Sequence, residues 1–305
     1  MPFQPTYDVP PERRPYQLEC VTPQDDGRRV GVLFLHGFMG SPISSRPLAE
    51  YLTRHGLFVN CPLLPGHGHY PDKLKTAGRK EWLAEAEEAF KAARANSDEL
   101  FLIAHSMGNI LAAHVALKFG GVKGIAMLAP VYDVPDRRLR YIKYARFFVP
   151  WYYPHKSKRE SMQHLVRERV LDFDPTVDFD SPDFQATLPE ISRVPLAGMH
   201  EMVQTIAYGR KLWPQLDAPV HLYVGEEDVA APPENARAIF AALPGPAKTL
   251  TVYADAGHEL MDAVVDAGQV DGDGLVEVLG FGGEQRGQRA DAGVVRSSCE
   301  KAEVA

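Results

Sequence analysis

Cysteine is scarce in this chain of 305 residues: there are three, Cys20, Cys61 and Cys299, and they lie far apart. An odd, scattered set builds neither a disulfide framework nor a metal-ligand spacing, and it suits a reducing compartment. Long apolar runs are missing as well; none approaches the roughly 20 residues needed to span a bilayer. The opening stretch, "MPFQPTYDVPPERRP", has no apolar signal core and no twin-arginine pattern ahead of one. These absences make a cytoplasmic location the expectation. There is no excess of positive charge either: the formal net charge is −7, so a nucleic-acid partner is not expected. Internal repeats are absent. What is there is a chain 45% hydrophobic, long enough for one large α/β domain with an insertion and a sizeable core.

Continuous apolar runs mark strands buried on both faces. "RRVGVLFLHG", "GLFVNCPLLPGHG", "ELFLIA", "VKGIAMLAP", "PVHLYVG" and "KTLTVYADA" read this way. Between them lie helical patterns. "RKEWLAEAEEAFKAARA" puts Trp82, Leu83, Ala86, Ala89, Phe90 and Ala93 on one face, and "NILAAHVALKFG" is closed by a glycine. Strands alternating with helices predict a mostly parallel sheet flanked by helices. Residues 131–216 break this rhythm and read as a mostly helical insertion. Within it, 137–169 holds ten Lys or Arg against two acids, and 172–190 holds six acids and no base. The expected organisation is an extended proline-rich arm at 1–15, a core of 16–130 and 217–266, the insertion at 131–216, and a poorly ordered glycine-rich tail at 267–305.

The chemistry centres on "AHSMG", where a strand runs into Ser106 and then into a helix. A nucleophile at such a sharp turn stands clear of the sheet, provided the residues two before and two after are small. Ala104 and Gly108 meet that need, with alanine in the place more often held by glycine. A serine hydroxyl needs a base, and the base an orienting acid. Asp228 follows the strand "PVHLYVG" and His258 follows "TLTVYADA", in the order Ser, Asp, His, each past a strand end. Glu226, Glu227 and Asp133 compete for the acid's place, and Asp255 reads as a turn residue. "LHGFMGSP" follows the first buried strand, where the amides of Phe38 and Met107 are the expected oxyanion donors. In that loop His36 reads as a structural residue that holds the backbone. His67 and His69 in "PGHGHY" read as turn or packing residues rather than a metal pair.

Together "LHGFMGSP", "PLLPGHG", "AHSMG", "VGEEDVAAP" and "DAGHEL" make residues 28–262 resemble the serine α/β-hydrolases of the carboxylesterase and monoacylglycerol lipase group. The resemblance implies an α/β-hydrolase fold with an inserted helical cap at 131–216. It also implies ester hydrolysis through an acyl-serine, without a metal or organic cofactor. Its substrate would be a small-molecule ester or a monoacyl lipid. A carboxylesterase acting on small to medium acyl esters is the first expectation; a monoacylglycerol or lysolipid lipase and a non-catalytic receptor on the same fold are the alternatives. Candidate substrate contacts are Gly37, Met39 and His105 near the nucleophile, with Phe148, Met199 and Met202 from the cap. At helical spacing, "RRLRYIKYARFFVPWYY" gathers Tyr141, Ile142, Ala145, Phe148 and Val149 opposite a basic face. Such a helix could contact a membrane or lipid interface transiently. After His258 the group normally closes with an amphipathic helix; here "ELMDAVV" starts one, and eight glycines follow between 268 and 305. A shifted reading frame near the end of the gene is one hypothesis for that tail, tested by intact mass and re-sequencing.

Overall fold

The computed structural model describes residues 3–21, 27–134, 136–173, 177–261, 263–265 and 295–297. The apolar runs become the strands β1 Tyr16–Leu18, β2 Val30–Leu35, β3 Leu57–Cys61, β4 Glu99–His105 and β5 Ile125–Leu128. Later in the chain come β6 Trp151–Tyr152, β7 Val194–Pro195, β8 Val220–Gly225, β9 Lys248–Tyr253 and β10 Val295–Ser297. Eight of them form one sheet in the order β1-β3-β2-β4-β5-β8-β9-β10, in which only the β1–β3 pairing is antiparallel. The chain order reverses between β3 and β4 around β2, the kind of crevice where open parallel sheets bind ligands.

Alternation along each strand explains the unbroken apolar runs. In β2, Leu33 and Leu35 join one core layer while Val32 and Phe34 join the other; in β4, Leu102 and Ala104 oppose Phe101 and Ile103. Helices cover both layers. α1 (Arg46–Arg54) contributes Leu48 and Leu52 to the Phe34 side, as do Leu260, Met261 and Val264 just after His258. α2 (Arg79–Ala95), α3 (Gly108–Phe119) and α8 (Pro233–Ala242) cover the Leu33 side. No helix among the described residues is long and apolar enough to cross a membrane.

The proline-rich start is docked rather than loose. Val9 and Arg13 are buried, Tyr7 donates its hydroxyl to the His67 carbonyl at 2.8 Å, and Pro11–Arg13 makes one 3-10 turn. The insertion holds α4 (Ile142–Ala145), α5 (Glu160–Phe173), α6 (Pro182–Ser192), α7 (Leu196–Leu212) and the small antiparallel pair β6–β7. Val166, Val170, Phe184 and Ile191 give it a small core of its own. The long amphipathic helix expected over 137–153 does not form. A 3-10 turn at Arg137–Tyr141 precedes the four-residue α4, and Pro150 lies just beyond. With the helix cut to one turn, Tyr141, Tyr144, Phe147, Phe148 and Val149 all face solvent and Ile142 alone of the expected apolar face is buried. The expected disorder of 267–305 lies outside the described residues, apart from β10, which pairs in parallel with β9.

Phe34 is fully buried and Phe148 is 86% exposed, so the two rings predict opposite outcomes. Phe34→Ala should lower unfolding free energy by about 3–5 kcal/mol, and Phe148→Ala should change it by less than about 0.5 kcal/mol. Urea titration of both variants checks this; equal losses would overturn the layer assignment.

Candidate active site

Strand β4 ends at His105, and Ser106 turns the chain into α3 with a φ of 52°, a left-handed value that a serine rarely adopts. The turn is braced from below. Ser106 N donates to the Leu128 carbonyl at 2.9 Å, and the buried Asn109 amide reaches both the Ser106 and Leu128 carbonyls, at 3.0 and 2.9 Å. Gly108 leaves no alternative at its position: a β-carbon there would lie 2.1 Å from the Leu35 carbonyl oxygen. Asn109 was not visible as a site residue from sequence. Its signal was the asparagine three places after the serine, on the first turn of a helix.

The loop after β2 lies against this turn. A β-carbon on Gly37 would sit 3.0 Å from the Ser106 Cβ and 3.2 Å from His105 Nδ1, so glycine permits the approach. The Phe38 ring packs edge-on against His67 and Trp82. Neither the Phe38 nor the Met107 amide donates to a protein acceptor among the described residues. Met39, the next residue, is buried and also left-handed, with φ 63°.

Asp228 and His258 meet across the ends of β8 and β9. His258 Nδ1 donates to Asp228 Oδ2 at 2.8 Å, and Asp228 Oδ1 accepts from the amides of Ala230 and Ala231 at 2.9 and 2.7 Å. Three hydrogen bonds hold a carboxylate with no exposed side-chain surface. Glu226, Glu227, Asp133 and Asp255 are all exposed, and Asp133 instead pairs with Arg210 at 3.2 Å. Burial alone would depress the His258 pKa. The hydrogen bond and charge of Asp228, aided by the charges of Glu259 and Glu168, outweigh it and hold the pKa above its ordinary value. Glu168 comes from α5 of the insertion, where a β-carbon on Gly257 would lie 2.5 Å from its Oε1. Nothing in the linear sequence pointed to it.

Residues 27–263 match the family model described as Hydrolase_4, serine aminopeptidase S33. The chain belongs to this family. Among curated relatives, the thermostable monoacylglycerol lipase of Bacillus sp. (strain H-257) is 27% identical over 230 residues, 75% of this chain and 82% of its own length. The fold is shared with a chain from the work on LipS and LipT, two metagenome-derived lipolytic enzymes: TM-score 0.68, 22% identity, 87% of this chain and 98% of that one. It is shared too with the Paleococcus ferrophilus monoacylglycerol lipase: TM-score 0.60, 21% identity, 83% of this chain and 98% of that one. The protein is a serine hydrolase of this family, with the α/β-hydrolase fold.

In this S33 hydrolase the remaining candidates fall in different places. His105 is not aimed at a ligand space: its ring is buried, 4.8 Å from the His258 ring, and its Nε2 donates to the His258 carbonyl at 2.9 Å. That bond ties the strand leading to Ser106 to the loop carrying His258. Burial, then the neighbouring His258 charge, pushes its pKa down to about 3, so it stays neutral. Phe148 faces solvent instead of a pocket wall, because the turn described above replaces the expected helix. Met202 packs on the core layer beneath α7, and Met199 is half-buried on the same helix. One helical turn away, Val203 and Ile206 line a cavity of about 500 Å³, together with Val134 and Leu139 and the charged Asp133, Asp136, Arg140 and Arg210. Among the described residues no cluster of three His, Cys, Asp or Glu could hold a metal ion.

A base must be neutral to take a proton, so a raised His258 pKa places the acid limb of kcat/KM above the ordinary imidazole value of 6.5. Asp228→Asn removes the hydrogen bond's charge and leaves burial to dominate. The midpoint should then move down while the plateau falls about 10⁴-fold. A pH–rate profile of both proteins checks this, and an unmoved midpoint would remove Asp228 from the pair.

Proposed function

We propose that this hydrolase cleaves carboxylic esters through an acyl-serine on Ser106, and that its substrates are monoacyl amphiphiles or simple esters of small to medium acyl length. The observation that carries this reading is the Asp228–His258 hydrogen bond, set at the same sheet edge as a serine held in a strained strand-to-helix turn. His258 takes the Ser106 hydroxyl proton as Oγ bonds to the ester carbonyl carbon. Asp228 holds the imidazole in the tautomer that leaves Nε2 free to accept, and it stabilises the imidazolium. The Phe38 and Met107 amides receive the oxyanion, each such donor being worth about 3 kcal/mol in related chemistry. Collapse breaks the ester C–O bond, and the alkoxide leaves as alcohol with the proton from His258. Water then attacks the acyl carbon, gives its proton to His258, and the acid departs as Ser106 recovers its hydrogen.

Fluorophosphonate treatment followed by intact mass and peptide mapping should show one adduct, on Ser106. Ser106→Ala should lose ester hydrolysis by about 10⁴–10⁶-fold while melting like the parent. No adduct on a folded protein would favour the receptor reading. Because the family description names an aminopeptidase, matched ester and amide analogues belong in the same assay; faster amide cleavage would overturn the ester preference.

Monoacyl lipid is the favoured amphiphile for two reasons. The cavity of about 500 Å³ combines Val134, Leu139, Val203 and Ile206 with Asp133, Asp136, Arg140 and Arg210. That mixed lining suits a chain with a polar head, although none of Ser106, Asp228 and His258 is among its lining residues. The outer lip of the cap presents Tyr141, Tyr144, Phe147 and Phe148 to solvent, with Arg140, Lys143 and Arg146 each over a neighbouring ring at 4.7–4.8 Å. Rings with cations among them suit the headgroup region of an anionic lipid surface. Replacing Phe147 and Phe148 together by Ser should weaken binding to phosphatidylglycerol-containing vesicles by about tenfold or more, at roughly 1.5–3 kcal/mol per fully buried ring. Hydrolysis of a soluble acetate ester should be unchanged. Equal vesicle binding by both proteins would remove the lipid contact.

A further inference from the structure

The two sides of α5 (Glu160–Phe173), in the insertion, meet different surroundings. Val166 and Val170 turn toward α6, where they pack with Phe184 and Ile191. At about 100° per residue His164 and Glu168 fall on the other side, one helical turn apart. That side meets the segment that carries His258. A β-carbon on Gly257 would lie 2.5 Å from Glu168 Oε1 and 3.7 Å from His164 Nε2, so the bare glycine lets the carboxylate come against the backbone. Glu168 is only 19% exposed, and its Oε1 lies 3.3 Å from His164 Nε2.

The His258 segment is thus held from two directions. From the sheet, His105 Nε2 donates to the His258 carbonyl at 2.9 Å; from the cap, Glu168 lies against the residue before it. Burial keeps His105 neutral, so it brings no charge. Burial also draws the His258 ring toward its neutral form, and carboxylates oppose this: Asp228 bonded to Nδ1, then Glu259 in the same segment and Glu168 from α5. Asp228 and Glu259 belong to the core. Glu168 belongs to the insertion, and His164 beside it is the titratable group able to offset its charge.

We propose that Glu168 is a positioning residue for His258: a carboxylate carried by the cap that favours the imidazolium formed as Ser106 gives up its proton. The base is then strongest when α5 is seated on the Gly257–His258 segment. This rests on the reading of Ser106 and His258 as nucleophile and base. Glu168 touches no reacting atom; it acts through the charge of a neighbouring ring. Its effect falls on the protonation of His258 and on kcat, and not on the binding of a small ester.

Two substitutions separate charge from shape. Glu168→Gln keeps the size of the side chain and removes its charge; Glu168→Asp keeps the charge and shortens the reach by one methylene. A negative group holds the proton on the imidazole, so without it the ring loses that proton at lower pH. With a soluble acetate ester, Glu168→Gln should therefore move the acid limb of kcat/KM to lower pH. Its plateau kcat should fall about 3–10-fold, the scale of a partly exposed charge. KM should stay within about twofold. Glu168→Asp should recover most of both losses. A side chain that merely fills space gives the reverse ranking, with Gln close to the parent and Asp worse, and that result overturns the proposal. A higher KM with unchanged kcat also overturns it, because Glu168 would then be a substrate contact. Nuclear magnetic resonance titration of His258 in Ser106→Ala, with and without Glu168→Gln, reads the same shift without turnover. A lower midpoint in the double variant supports the proposal, and equal midpoints defeat it. Absence of a fluorophosphonate adduct on parent Ser106 would instead defeat the underlying reading, a separate result.

Discussion

The left-handed backbone of Ser106 is the constraint on which the rest of the site depends. Such a φ costs a non-glycine residue about 1–3 kcal/mol, and it persists only where surrounding contacts over-determine it. Here they do: the Leu128 carbonyl takes the Ser106 amide, Asn109 bridges two carbonyls, and Gly108 lies against the Leu35 backbone. Two other non-glycine residues have positive φ, Met39 at 63° and Ala129 at 43°. All three sit just beyond the carboxyl ends of neighbouring strands β2, β4 and β5. Strain is thus gathered along one edge of the sheet, and the fully buried strands behind it supply the rigidity that holds it.

The cap is rooted on one side of that edge. α7 lies on α3, where a β-carbon on Gly209 would meet Ile110 at 2.8 Å, and Gly198 sits equally close to the Leu74 carbonyl. Glu201 accepts from the Arg79 amide, Arg193 pairs with Asp72, and the Trp151 ring is flanked by Lys75 and Arg193 at 4.0 and 4.2 Å. The partly exposed Arg193–Asp72 pair is worth at most about 1 kcal/mol. The buried faces of Ile206 and Leu212 do more to hold α7 down, at roughly 1.5–3 kcal/mol per side chain. In the lip at 141–149 only Ile142 is buried, while Tyr141, Tyr144, Phe147 and Phe148 face solvent. An insertion anchored on α2 and α3 therefore carries its exposed aromatic rings directly after Leu139 and Arg140, which help to line the cavity.

The sheet was legible because β2, β4 and β5 are buried on both faces, which forces continuous apolar runs that few other structures need. The Asp228–His258 contact was legible from chain order and strand ends, since a parallel sheet aligns successive strand termini whatever the spacing in sequence. Short elements escaped: β1 has three residues and pairs at the sheet's outer edge, so it has no hydrophobic period to read. The lip departs from its expected single helix because a 3-10 turn at Arg137–Tyr141 passes into only one turn of α-helix at Ile142–Ala145, which ends before Pro150. Glu168 beside Gly257 and the bond from His105 to the His258 carbonyl depend on contacts between distant segments. For these, sequence position alone offers no physical signal.

The small-residue requirement around the serine is not symmetrical. Ala104, two places before it, is fully buried on the Leu33 side of β4, pointing into a core layer like any strand residue. Its methyl group is part of that packing, and the registered neighbour across the ladder is Leu35. A glycine there would leave an apolar gap and add backbone freedom to the unfolded chain. Gly108 faces a different limit, because the helix begins against the carbonyls of Leu35 and His36, at 2.1 and 2.8 Å from any β-carbon. No side chain can rotate away from a backbone oxygen that is itself fixed in the sheet. The position after the serine is set by a steric wall, and the position before it by core volume. A strand-serine-helix turn with alanine at the first place is therefore mechanically complete in this chain.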